Sequence, residues 1–167
     1  MLVRSFRRVK WQACLRDPEC PVSADAVTGD LRTTDNALSM WEITSFTDLE
    51  DAALAILTKH EKPDAVDLIA LDEMDLTGLG LRIKATTGDT PVPDLRGTHR
   101  DLVSLTYGDL HTVASAVLNS MRSGHFKRIG KREKLRMVTE AVRTGRVDLT
   151  ALAGDMHALV AQALAQL

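Results

Sequence analysis

Aromatic residues and cysteines are scarce in this chain of 167 residues. Phe, Trp and Tyr together make up 4% of it, so Leu, Val, Ala, Ile and Met must supply most of any core. Cys14 and Cys20 are the only cysteines. Their C-x5-C spacing matches no common zinc pattern, and two cysteines cannot complete a four-ligand site. Pro18 and Pro21 predict a turn. A disulfide is sterically conceivable, but we expect reduced thiols in a chain without a secretion signal.

Long apolar segments are also missing. No run approaches the roughly 20 apolar residues that a membrane-spanning helix needs. The first ten residues carry four basic side chains with no apolar stretch after them, so they do not predict a secretory signal. We therefore expect a cytoplasmic protein that does not contact a membrane.

The common catalytic motifs are absent. The five histidines show no metal-binding spacing such as H-E-x-x-H, and no G-x-S-x-G elbow supplies a nucleophile. The "GLGL" at residues 78–81 satisfies neither the P-loop nor the dinucleotide-binding pattern. His99 with Asp101, and His111 with Asp109, could each pair as a base and the group that orients it if the fold supplied a nucleophile. No cofactor is predicted.

Apolar runs typical of strands and an apolar spacing typical of a helix predict the fold. With 44% hydrophobic and 26% charged residues, the composition is that of a globular protein of this size. A strand over 37–43, a helix over 47–62 and a nearly continuous apolar strand over 65–71 read as a βαβ unit, which makes the two strands parallel neighbours. Thr47 and Glu50 predict a capping box for the helix. Residues 3–11 predict an opening strand or an amphipathic edge.

The predicted fold class is α/β or α+β, with a small mixed sheet built on the βαβ unit of about residues 37–72 and a helical C-terminal third. A strand is also predicted over 102–107. We expect a mixed core domain over residues 1–122. Residues 123–167 are expected to form a helical extension that packs on the core or on a partner.

Acidic residues at the ends of the two predicted strands suggest a metal site. If the strands are neighbours, the carboxylates converge at one edge of the sheet, where Mg²⁺ or Mn²⁺ would serve a metal-dependent nuclease or phosphodiesterase. The alternative is a set of solvated loop acids. The residues of this predicted site are Glu42, Asp72, Glu73 and Asp75.

A basic segment suggests contact with nucleic acid. Residues 122–146 carry nine basic and two acidic side chains, a net charge of +7, and could neutralise phosphates. The alternative is a solvated face, or one docked on the acidic middle of the chain. The residues predicted to contact nucleic acid or another anion are Lys127, Arg128, Lys131, Arg132, Arg136 and Arg143.

The last helix suggests a protein interface. Leu149, Leu152, Met156 and Leu159 step by three, four and three residues, a narrow seam like that of a helix hairpin or coiled coil. The favoured function is a non-enzymatic adaptor or regulatory subunit of an antitoxin, immunity or defence type, which uses this seam to bind a protein partner or a second copy of itself. The nuclease and the nucleic-acid-binding protein are the alternatives.

Overall fold

A computed structural model describes residues 1–17, 20 and 22–166, and these residues form one six-stranded antiparallel sheet with helices on both faces. The α+β class and the helical C-terminal portion are therefore confirmed. The turn predicted at Pro18 and Pro21 lies outside the described residues. The strands are β1 Leu2–Phe6, β2 Leu38–Glu42, β3 Val66–Leu71, β4 Arg82–Ala85, β5 His99–Val103 and β6 Phe126–Ile129, in the spatial order β4-β5-β2-β1-β3-β6.

Helices of varied length connect these strands. The α-helices are α1 Gln12–Arg16, α2 Ala24–Asp30, α3 Leu49–Leu57, α4 Glu73–Gly78, α5 Tyr107–Arg122, α6 Lys131–Arg143 and α7 Gly154–Leu164. Short 3-10 helices occur at Arg8–Lys10, Phe46–Asp48, Pro93–Thr98 and Leu149–Ala151. Across the described ranges, no helix combines the length and the apolar content that crossing a bilayer requires.

The predicted βαβ unit is present, but its two strands are not neighbours. The first strand, β1, lies between β2 and β3 and pairs antiparallel with both, with Glu42 and Leu71 each opposite Leu2. The strands β2 and β3 therefore run in the same direction without pairing. The expected adjacency is wrong because the apolar residues of β1 are buried on both faces, with Leu2 and Val3 fully covered, and β1 takes the central place.

Alternation along the strands divides the core in two. On one face, Val3 and Leu68 pack with α3, α6 and α7, while on the other Leu2 and Ile69 pack with α5 and with the shorter helices α1, α2 and α4. Opposite residues of an antiparallel pair project to the same face, so the register fixes which side chains share a surface.

Residues 123–167 begin with a strand rather than a helix. Its pairing joins β6 to the outer side of β3, from Val66 opposite Ile129 to Ile69 opposite Phe126. The sheet therefore crosses the boundary predicted at residue 122. Sequence reasoning missed β6 because four residues that include Lys127 and Arg128 show no strand period. The helices α6 and α7 then pack on the core of the first face.

Two local predictions are also shifted. The capping box before α3 joins Ser45 and Asp48 around the 3-10 turn, so the box predicted at Thr47 and Glu50 is wrong. The α-helix then begins at Leu49. The strand predicted over residues 102–107 occupies His99–Val103, because Thr106 instead caps α5 by accepting a hydrogen bond from the backbone amide of Asp109.

Candidate functional site

The predicted acidic site is divided by β1. Glu42 and Asp72 reach the same edge of the sheet, but they lie on either side of the first strand, so two strand spacings, about 10 Å, separate their backbones. Glu42 forms an ion pair with Arg100 of β5. Glu42 therefore has an ionic partner on the side of β2 that faces away from β1.

The other acids of this edge serve the start of α4. Asp72 is the N-cap, and its Oδ1 accepts hydrogen bonds from the backbone amides of Met74, at 2.8 Å, and Asp75, at 3.1 Å. Glu73 and Asp75 lie in the first turn of α4, where negatively charged side chains interact favourably with the helix dipole. No group of three or more His, Cys, Asp or Glu residues within the described part of the chain is arranged to hold a metal ion. The magnesium or manganese site stays a prediction from sequence alone.

Half of the predicted anion-contacting residues form ion pairs within the fold. The remaining three, Lys131, Arg132 and Arg136, are exposed on α6 and have no ion pair to any described residue. Nucleic-acid binding stays a prediction that rests on these three positions. The internal pairs are Lys127 with Glu133 at 3.3 Å, Arg128 with Asp67 at 3.1 Å and Arg143 with Glu140 at 2.6 Å.

The predicted partner seam packs inside the protein. The side chains of Leu152 and Met156 are 5% and 1% exposed and belong to the core on the α3 face of the sheet. Leu149 packs against the same core, and Leu159 is half-buried. The seam is apolar because it packs against α6 and the core of its own chain.

A groove on the face of the sheet that α3 covers is lined by polar side chains that are distant from one another in the sequence. Its volume is about 380 Å³. The floor includes Ser39 and Trp41 of β2 and His99 of β5, and Lys59 and His60, just after α3, form one wall. Ser39 lies opposite Asp101 and Trp41 opposite His99, so all four side chains project to this face.

A chain of hydrogen bonds links two residues of the groove floor, Ser39 and His99, through Asp101 and Thr86. The Ser39 hydroxyl donates to Asp101 Oδ1 at 2.9 Å, and the Thr86 hydroxyl donates to Asp101 Oδ2 at 2.8 Å. The Thr86 oxygen also lies 2.7 Å from His99 Nδ1. Thr86 has one hydroxyl proton and gives it to the carboxylate, so its oxygen can only accept from His99. His99 therefore carries its proton on Nδ1.

The environment of His99 keeps the ring neutral. Burial lowers the pKa of His99 below its usual value, and the positive charge of Arg100 lowers it further, against the opposing effect of Asp101. The rings of Trp41 and His99 pack in a T-shaped arrangement, with centroids 4.9 Å apart. No donor or acceptor among the described residues bonds to Nε2. A neutral imidazole with an unprotonated Nε2 is a hydrogen-bond acceptor and a general base.

The loop after β4 shapes the upper part of the groove. A Cβ atom at Gly88 would lie 2.8 Å from His99 Cβ and closer still to the Trp41 ring, so only glycine fits without displacing these side chains. The next residue, Asp89, forms an ion pair with Lys59 across the groove. The hydrogen bond from Lys59 lowers the pKa of Asp89.

Comparisons with protein-family models, with curated protein sequences and with solved structures found no match. The residues that line the groove are therefore the only basis for inferring its function. Sequence reasoning identified His99 and Asp101 as a possible pair but missed Thr86 and Ser39. A polar residue at an alternate position of an apolar strand, such as Ser39 in "ALSMWEI", was the available signal.

Proposed function

We propose that the protein binds a small polar ligand in this groove and that His99 Nε2 accepts a hydrogen bond or a proton from it. The single observation that carries this proposal is the hydrogen-bonded series Asp101, Thr86 and His99, which fixes the tautomer of a neutral histidine at a cavity. A concave site with a few convergent polar groups and a titratable residue of shifted pKa is the usual form of a ligand site.

The lining of the groove limits the chemistry of the ligand. Ser5 and Ser39 offer hydroxyl groups on the floor, and Lys59 and Asp89 place one charge of each sign at the side. The volume is near the lower end of the range for small-molecule sites, which begins at about 300 Å³. A hydroxylated molecule of the size of a pentose or a hydroxy acid fits this description, and its hydroxyl group would donate to His99.

If the site is catalytic, His99 would remove a proton from the bound hydroxyl group or from a water molecule. General-base catalysis of this kind typically contributes about 10²–10⁴-fold to a rate. Asp101 would act through Thr86 as a positioning residue, because the carboxylate stabilises the Nδ1-protonated ring and leaves Nε2 free to accept.

Titration of the ¹⁵N-labelled protein with ribose and, separately, with lactate tests the proposal. We expect at least one probe at millimolar concentration to shift the backbone amides of Ser39, Trp41 and His99. His99→Phe should abolish the shifts because phenylalanine keeps a ring of similar size but has no acceptor atom. His157→Phe, at an exposed position on α7, should leave them unchanged. Shifts that persist in His99→Phe, or no shifts with either probe, would contradict the proposal.

We also propose, as a second function, an adaptor or regulatory subunit of the antitoxin, immunity or defence type that binds a protein partner. The observation that favours it is a group of exposed apolar side chains on two helices that contact each other, α4 and α5. Met74 is 82% exposed, Leu79 at the end of α4 is 55% exposed, and Tyr107 at the start of α5 is 89% exposed. Methionine and tyrosine are enriched at protein interfaces.

Charge substitution on this surface tests the second function. Capture of a partner from an extract of the native host should be lost with Tyr107→Glu combined with Met74→Glu. Val9→Glu, at another exposed apolar position, should retain the partner. All of these residues are exposed, so thermal unfolding should change little. Capture that survives the double substitution would exclude this surface, whereas glutamate at Leu152 would unfold the core and could not test binding.

A further inference from the structure

We propose that Cys14 and Cys20 form an intramolecular disulfide when the protein meets a small-molecule disulfide oxidant. The two Sγ atoms lie 3.0 Å apart. A disulfide bond is about 2.05 Å long, so bond formation requires an approach of about 1 Å. Two thiols already in contact need little rearrangement of the backbone. The pair is separate from the groove, and the inference does not depend on the proposed ligand.

The surroundings of the two residues hold them near each other. The backbone oxygen of Cys14 accepts a hydrogen bond from Arg122 at 3.1 Å, which ties α1 to the end of α5. The backbone amide of Cys20 donates to the Asp17 oxygen at 3.1 Å, which draws Cys20 back toward the end of α1. These bonds connect each cysteine to its neighbours independently of the contact between the sulfur atoms.

Exposure sets the order of the reaction. Cys14 is buried and Cys20 is half-buried, so Cys20 meets the oxidant first. The hydrogen bond with Cys20 and burial raise the pKa of the Cys14 thiol to about 11, which favours Cys20 as the attacking thiolate. The rate should therefore rise with pH, because the second step needs the Cys14 thiolate.

The chemistry balances with glutathione disulfide as the oxidant. The Cys20 thiolate attacks one glutathione sulfur, and the other glutathione leaves as a thiolate. The Cys14 thiolate then attacks Cys20 Sγ in the mixed disulfide and releases the second glutathione. The protein loses two electrons and two protons, and the two glutathione products gain them. The new bond closes a short ring and should raise the melting temperature by about 2–8 °C.

The test incubates the full chain with glutathione disulfide in mildly alkaline buffer. We expect a product two hydrogen atoms lighter than the reduced chain, and a tryptic digest without reductant that joins residues 11–16 to residues 17–32. Cys20→Ser should show neither, and its buried Cys14 should stay unmodified. A stable adduct one glutathione heavier, covalent dimers, or two unreacted thiols would each overturn the proposal.

Discussion

Replacing Asp30 by alanine should lower the free energy of unfolding by about 2–6 kcal/mol, because the carboxylate is the buried acceptor that joins three parts of the first 30 residues. Asp30 is 5% exposed. Its Oδ2 accepts from the backbone amide of Arg7 at 2.9 Å and from Trp11 Nε1 at 2.8 Å, and its Oδ1 accepts from Arg7 Nε at 2.9 Å. Removal would leave the amide and the fully buried indole without acceptors.

Two milder substitutions separate the causes of this loss. Asp30→Asn keeps the size of the side chain and one acceptor oxygen, so we expect about half the loss of alanine. Trp11→Phe removes the indole donor together with part of a fully buried ring, and should cost about 1–3 kcal/mol. Urea unfolding of the three variants provides the measurement. A loss below about 1 kcal/mol for Asp30→Ala would show that the carboxylate does not join these elements.

Replacing Lys134 by methionine should stabilise the protein at neutral pH, by about 1–2 kcal/mol. Lys134 is fully buried, and its ammonium donates to the Lys62 backbone oxygen at 2.7 Å. Burial lowers the pKa of Lys134 to about 8, against the opposing effect of Asp64. The difference from the usual value of about 10.4 corresponds to roughly 3 kcal/mol. Methionine relieves this penalty and loses one hydrogen bond, worth about 1 kcal/mol.

The sign of the pH dependence distinguishes this explanation from simple repacking. Below pH 8 the lysine is charged in both the folded and the unfolded chain, so folding bears the full cost of burying the charged ammonium group. Between about 8 and the unfolded pKa of about 10.4, the unfolded chain holds a proton that the folded chain has lost, so stability rises with pH. The advantage of Lys134→Met should therefore shrink across this interval.

Denaturant unfolding at several pH values between 7 and 10.5 measures this effect. The exposed Lys131→Met is the matched control and should show little pH-dependent difference from the parent protein. The pKa of His60 provides a second readout: burial and then the charge of Lys134 lower it, so it should rise in Lys134→Met. A Lys134→Met advantage that stays constant with pH would contradict the assigned cause.

Local patterns predicted much of the fold but not the order of the strands. The apolar run that became β3 and the stripe of α3 were readable because burial on a strand or a helix face leaves a periodic sequence. The place of β1 between β2 and β3 depends on long-range pairing, which no local period encodes. The short β6, with Lys127 and Arg128 among its four residues, shows no alternation of apolar and polar residues that would predict a strand.

The site was less predictable than the fold for the same reason. Thr86 and His99 are brought together by the β4–β5 pairing, and Ser39 and Asp101 by the β2–β5 pairing, so the hydrogen-bonded series exists only in the correct register. The strand predicted over residues 102–107 excluded both His99 and Asp101. The last helix was misleading in a different way, because a narrow apolar seam has the same sequence whether a partner or the chain itself covers it.

The position of the proton on His99 tests the central claim most directly. Side-chain ¹⁵N NMR of the histidines at neutral pH should show His99 as the neutral tautomer protonated on Nδ1, with a pKa below that of an exposed histidine. Thr86→Val should remove this tautomer preference. An imidazolium at neutral pH, or a proton on Nε2 in the parent protein, would contradict the proposed role of the groove.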